Sequence, residues 1–179
     1  NQSPTIEAAS EVVEAGTGIG KTLAYLVPII LSRKRVLIST GTKNLQEQIY
    51  FKDLPALQEA LGVTFTATYM KGRANYLCLH RFEAQYQNPT PRSATDDAYL
   101  TTIKQWLTVT ETGDRAELEN IPEDLPSWNE ISATNENCIG RECTQYEECF
   151  VTRMRQRASE SDLVIVNHHL LCADAAVRQ

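Results

Sequence analysis

Apolar positions along this chain alternate between two periods. Val12 and Val13 form a short β-type run, and Leu23, Leu26, Val27, Ile30 and Leu31 then recur at helical spacing. The charged turn Arg33-Lys34-Arg35 separates that helix from Val36-Leu37-Ile38-Ser39-Thr40, a buried-type strand. Thr42 is placed to cap a helix over Lys43 to Tyr50, with Leu45 and Ile49 on one face. Pro55 predicts a break before a second short helix carrying Leu54, Leu57 and Leu61. Val63 to Met70, rich in Thr and aromatic residues, reads as a further strand.

The pattern changes from Cys78 onward. Arg81 to Tyr86 is helical, Gln87 to Ser93 with Pro89 and Pro91 is a loop, and Thr101 to Val109 is a helix carrying Ile103, Trp106 and Leu107. Thr110 to Asn137 is acidic, interrupted by proline and weakly periodic. A helix is predicted from about Tyr146 to Ala158, and Leu163-Val164-Ile165-Val166 is the most apolar strand of the chain. The order β-α-β-α-β, an insertion and a returning strand predicts an α/β fold with a parallel sheet covered by helices.

Between the first strand and the first helix stands Ala15-Gly16-Thr17-Gly18-Ile19-Gly20-Lys21-Thr22. Strand, glycine-rich turn and helix is the context a phosphate-binding loop needs. Glycines let backbone N–H groups turn toward phosphates, and the helix start adds its positive end. Lys21 would reach the terminal phosphates of a nucleotide, and the Thr22 hydroxyl would hold Mg2+. Ala15 departs from the strict pattern, which has Gly there, but is small enough for a tight turn.

Length and composition fit one globular domain, or one domain with an insertion, and no apolar run reaches the length of a membrane span. The cytoplasm is the expected compartment, and a monomer the expected state. A net charge of −6 argues against a uniformly basic surface. The charge is unevenly distributed, however: Asp96 to Glu136 is acidic, whereas Lys71, Arg73 and Arg81, and later Arg153, Arg155 and Arg157, are basic. Lys71 and Arg73 with Tyr76 join cations to an aromatic ring, a mixture suited to single-stranded nucleic acid. A solvated basic turn with a packed Tyr is the plainer reading. The chain does not begin with Met, and both ends read as cut from something longer.

Cys138-x4-Cys143-x5-Cys149 is a tight trio, and Cys78 lies far upstream at the start of the insertion. Four thiolates suit either zinc or an iron–sulfur cluster, and spacing alone leaves both open beside unliganded core cysteines. Cys172 reads as core. His168 and His169 read as structural.

Several blocks resemble one family. Glu14 to Thr22, continuing Leu23-Ala24-Tyr25-Leu26-Val27-Pro28, is similar to motif I of the XPD/DinG-like iron–sulfur superfamily 2 DNA helicases, with the DinG and YoaA branch fitting best. Ile38 to Gln46 resembles motif Ia. Lys71-Gly72-Arg73-Ala74-Asn75-Tyr76-Leu77-Cys78 resembles the lead-in to a first cluster ligand, and Asn137 to Phe150 the other three. Asp162 to Leu171 resembles the strand returning to the motor.

The resemblance implies a RecA-like motor domain, incomplete here, over residues 1–76 and 158–179, with a mostly helical iron–sulfur insertion over 77–157. It implies ATP and Mg2+ at Ala15 to Thr22, a [4Fe-4S] cluster on Cys78, Cys138, Cys143 and Cys149, and DNA, single-stranded or forked, as partner. Thr40, Lys43 and Gln46 become candidates for the DNA backbone beside Lys71, Arg73 and Tyr76. The activity implied is ATP-dependent helicase action, 5′ to 3′, in repair or replication. The family's Asp-Glu-x-His motif, arch and second motor domain with its arginine finger do not occur in this sequence. The chain is therefore expected not to hydrolyse ATP efficiently by itself. The competing expectations are a P-loop ATPase or kinase with a zinc-stabilised insertion, and a non-catalytic DNA-binding module.

Overall fold

The computed structural model describes residues 20–87, 93–122 and 125–177. The expected strand at Val12 and Val13, the loop positions Ala15 to Ile19, and the prolines Pro89 and Pro91 lie outside the described residues.

Three parallel strands, β1 (Val36–Thr40), β2 (Ala67–Met70) and β3 (Leu163–Asn167), form a sheet of order β1-β3-β2. Val36 and Ala67 both register with Leu163. The strand latest in sequence therefore sits in the middle, and its apolar run is explained by having a neighbour on each side. Helix α1 (Lys21–Ser32) buries Leu26 and Ile30, while Leu23 and Leu31 are exposed, so the buried stripe is narrower than the periodicity predicts. Pro28 lies inside α1, and Arg33 closes the helix in the left-handed region at φ 51.

After β1, α2 (Lys43–Gln48) is capped by the Thr42 hydroxyl, which accepts from the Leu45 N–H. The expected break at Pro55 is corrected. Residues 43–61 stay helical because a π-helical turn, Ile49–Asp53, precedes α3 (Leu54–Leu61). The Leu54 N–H donates to the Ile49 carbonyl, five residues back. That wider turn moves carbonyls out of step with the proline ring, which in a regular helix clashes with the residue four back. Gly62, at φ 63, ends α3.

The strand predicted from Val63 begins only at Ala67, because Asp162 pins the chain just before it. Its carboxylate accepts from the Thr66 N–H at 2.8 Å and the Thr66 hydroxyl at 3.0 Å, and the Asp162 carbonyl accepts from the Val36 N–H at 2.9 Å. One residue thus gathers the amino ends of all three strands.

Two apolar cores result. Leu26, Ile30, Ile38, Ile49, Leu54, Leu57, Leu163 and Ile165 pack between the sheet and α1 to α3. A second core joins Tyr76, Leu77, Ile103, Trp128, Ile131, Phe150 and Met154. It is built from α4 (Leu79–Gln87), α5 (Ala94–Trp106), α6 (Pro126–Ile131) and α7 (Phe150–Glu160). The weakly periodic stretch from Thr110 to Asn137 is thus core-forming, contributing Leu118, Ile121, Leu125, Trp128, Ile131 and Ala133. Helix α8 (His168–Val177) follows β3 directly.

Candidate functional site

Only Arg33 to Arg35 join α1 to β1, so the helix runs antiparallel to the strand. The amino end of α1 therefore lies beside the carboxyl ends of the strands, where open α/β sheets bind ligands. Gly20 stands at that end with φ 76, a left-handed geometry that suits glycine. Lys21 is exposed and Thr22 half-buried. Burial raises the pKa of Tyr25, a hydrogen bond from Thr22 opposes the rise, and the charge of nearby Asp53 adds to it. The π-turn thus lies against the first turns of α1.

At the same edge, the β1–α2 turn is tightly organised. The buried Thr40 hydroxyl donates to the Thr42 carbonyl at 3.2 Å, and Ser39 Oγ lies 2.6 Å from His168 Nδ1. Gln46 is fully buried, and its amide donates to the Met70 and Ile165 carbonyls at 2.8 and 2.9 Å. Thr40 and Gln46 thus turn these groups into the fold, and the Gln46 amide fastens α2 to β2 and β3. Lys43, at the start of α2, is exposed.

The basic-aromatic trio divides in the same way. Lys71 is only 3% exposed, with Nζ 2.9 Å from Glu47 Oε1 and 2.8 Å from Asp114 Oδ2. Tyr76 is buried, its hydroxyl accepts from the Lys71 N–H at 3.1 Å, and burial pushes its pKa up to about 12. Neither side chain is offered to solvent. Arg73, in the short turn Arg73–Asn75, remains half-exposed. Burial works against the charge of Lys71, but its hydrogen bonds to Asp114 and Glu47 outweigh it, so its pKa lies above the ordinary lysine value.

Asp114 is the residue that sequence reasoning missed. It is 1% exposed, its Oδ1 accepts from the Ala116 N–H, and its Oδ2 accepts from the Tyr69 hydroxyl at 3.2 Å. Its backbone pairs with Tyr76 in an antiparallel bridge. Gly113 beside it takes φ +64, and a Cβ there would overlap the Phe150 ring. The Gly113-Asp114 dipeptide is a turn signal that could have marked the place. Between α2 and this turn opens a cleft of about 520 Å3, with Lys43, Asn44, Asn75, Arg115 and Asn129 along it.

Cys78 immediately precedes α4, and its thiol pKa is raised by burial, against the Arg81 and His80 N–H groups and with the charges of Cys149 and Cys143. Cys138 is exposed, and no disulfide involves any of the five cysteines. Among the described residues no group of three or more His, Cys, Asp or Glu side chains is drawn close enough to hold a metal ion. Cysteine thiolates are the right chemistry for a thiolate-bound centre, but the four candidate side chains are not gathered into one here. Cys172, read as core, is exposed. Among the described residues no helix is long and apolar enough to cross a membrane.

The profile of the DEAD/DEAH box helicase family matches residues 2–116. The chain is 44% identical over 171 residues to the ATP-dependent DNA helicase YoaA of Haemophilus influenzae, covering 96% of this chain and 27% of that protein. It is 44% identical over 170 residues to the YoaA helicase of Escherichia coli, covering 94% and 26%. The 3′-5′ exonuclease DinG of Bacillus subtilis is 40% identical over 174 residues, covering 91% and 18%. This chain thus spans about a quarter of the length of its YoaA relatives. The match over most of the sheet-forming half, joined to a helix-start glycine and lysine at the carboxyl edge of a parallel sheet, assigns the chain to the DEAD/DEAH box helicase family, on its DinG-like branch.

Proposed function

We propose that this chain supplies the nucleotide-binding and strand-contacting front of an ATP-dependent DNA helicase that moves 5′ to 3′ in repair or replication. The observation that carries the reading is the shared edge. The amino end of α1, with Gly20, Lys21 and Thr22, and the β1–α2 turn, with exposed Lys43, lie together at the carboxyl ends of the strands. A nucleotide held at the first can therefore bias the position of a strand held at the second.

In this reading Ala15 to Thr22 cradle Mg-ATP, with Lys21 on the terminal phosphates and the Thr22 hydroxyl turned from Tyr25 to Mg2+. Lys43 and Arg73 attract the backbone of single-stranded DNA. Thr40, Gln46, Lys71 and Tyr76 act behind them as the frame. Residues 1–76 and 158–179 belong to the motor, and 77–157 to the insertion. Cys78, Cys138, Cys143 and Cys149 would hold the [4Fe-4S] cluster, which when bound would tie the 138–149 loop to the start of α4.

The test of the nucleotide site is Mg-ATP binding by this chain, measured by titration with a fluorescent analogue, for the wild type and Lys21→Ala. The wild type is expected to bind, and the variant to lose at least about tenfold in affinity, as loss of a charged hydrogen bond to phosphate predicts. Equal affinities would remove Lys21 from the site. Anaerobic purification tests the thiolate centre: brown protein with iron and sulfide supports the cluster, and colourless protein with stoichiometric zinc supports the zinc-stabilised reading.

A further inference from the structure

Lys71 lies between two bodies of the fold. Glu47 is on α2, packed on the sheet, and Asp114 is on the turn that seats the second core. The contacts are unequal. Asp114 is 1% exposed and holds Lys71 together with the Tyr69 hydroxyl and the Ala116 N–H, whereas Glu47 is 38% exposed and makes a single contact to Lys71. The triad also carries one cation against two carboxylates. The Lys71–Asp114 pair is therefore the enclosed half of the triad, and Glu47, on α2, the half open to solvent. A buried ion pair adds little net stability over apolar packing but demands one geometry. Its value here is registry.

Glu47 stands one helical turn after Lys43, so both project along the same side of α2. A ligand drawing on Lys43 would pull on the helix that carries Glu47. The opposite end of the chain of contacts is equally rigid. Gly113 packs under the Phe150 ring that follows Cys149, and the Leu77 N–H beside Cys78 donates to the Gly113 carbonyl at 3.0 Å.

We propose that Asp114 is a positioning residue and that Glu47–Lys71–Asp114 is the link passing movement of α2 to the cysteine-bearing insertion. This rests on the helicase reading, in which Lys43 meets the strand. Loss of the link should separate ATP use from duplex opening, because neither the phosphate site nor the strand-facing cation is altered.

The experiment uses the full-length protein, as wild type, Glu47→Gln and Asp114→Asn, on a forked duplex. It measures strand affinity, strand-stimulated ATP hydrolysis, base pairs opened per ATP, and amide exchange at Ala116 to Leu118. Glu47→Gln keeps the buried pair and so keeps the fold. Its affinity and hydrolysis are expected within about twofold of wild type, with opening per ATP reduced about fivefold, a moderate coupling energy. Exchange at Ala116 to Leu118 should quicken in the same variant. Asp114→Asn should act in the same direction and more strongly; if it does not fold, Glu47→Gln decides. Unchanged opening per ATP in Glu47→Gln, or a parallel fall in affinity, hydrolysis and opening, overturns the link. A wild type that ignores the strand sinks the helicase reading instead. Amide exchange then decides the physical link alone, and unchanged exchange in Glu47→Gln overturns it.

Discussion

Gln46 shows how a polar side chain at a functional-looking position becomes structural. Its amide reaches carbonyls on two different strands, and its Oε1 is buried without a hydrogen-bond partner. Gln46→Leu would remove the hydrogen bonds to the Met70 and Ile165 carbonyls, at roughly 1 kcal/mol each, eased by the unpartnered oxygen that also disappears. We expect a net loss of up to about 2 kcal/mol in a denaturant titration, while the DNA affinity of the folded fraction is unchanged. A large loss of DNA affinity with normal stability would return Gln46 to the strand surface. Gly113→Ala is expected to be at least as damaging. It combines a left-handed φ with overlap of the Phe150 ring, so about 2–4 kcal/mol is expected from strain plus overpacking.

At the scale of elements, the sheet is stapled where its strands begin. The Thr66 N–H and hydroxyl lower the pKa of Asp162, with a smaller contribution from the charge of Arg35. A carboxyl whose folded pKa is depressed gives stability that is complete above its unfolded value, near 3.8, and lost as pH falls through the folded one. Acid unfolding should therefore steepen below pH 3.8, and Asp162→Asn should flatten that part of the profile when midpoints are followed by circular dichroism. An unchanged profile would show that the staple contributes nothing. The three described strands and α1 were legible because their apolar positions follow simple periods. The π-turn was not, because Pro55 signals a break by local rules, and only an added residue in the preceding turn lets the helix continue. Nor was the burial of Lys71: a cation beside an aromatic ring reads as a binding surface until Asp114, forty-three residues on, is known to neutralise it. Gly20, Lys21 and Thr22 were legible as a motif, and their shared edge with Lys43 follows from α/β topology.

The described residues form two apolar cores joined by few elements, so damage to one should be felt unequally by the other. Ile131 is fully buried in the second core, and its carbonyl accepts from the Cys78 N–H at 2.8 Å. Ile131→Ala should cost about 2–5 kcal/mol, the range for a truncated core aliphatic. Ile38, Ile49 and Leu54 belong to the other core and keep their neighbours. The loss should therefore appear as faster amide exchange across Tyr76 to Met154, with faster thiol labelling of Cys78 and Cys149. Exchange in β1 should change far less. Helix α7 is where the separation is least complete, because it packs on β2 while Phe150, Val151 and Met154 face the second core. The variant's effect should accordingly reach β2 and β3 before β1. Uniform acceleration through all three strands would mean that the two cores unfold as one unit, and that the seam at Lys71 and Asp114 binds them more tightly than their separate packing suggests.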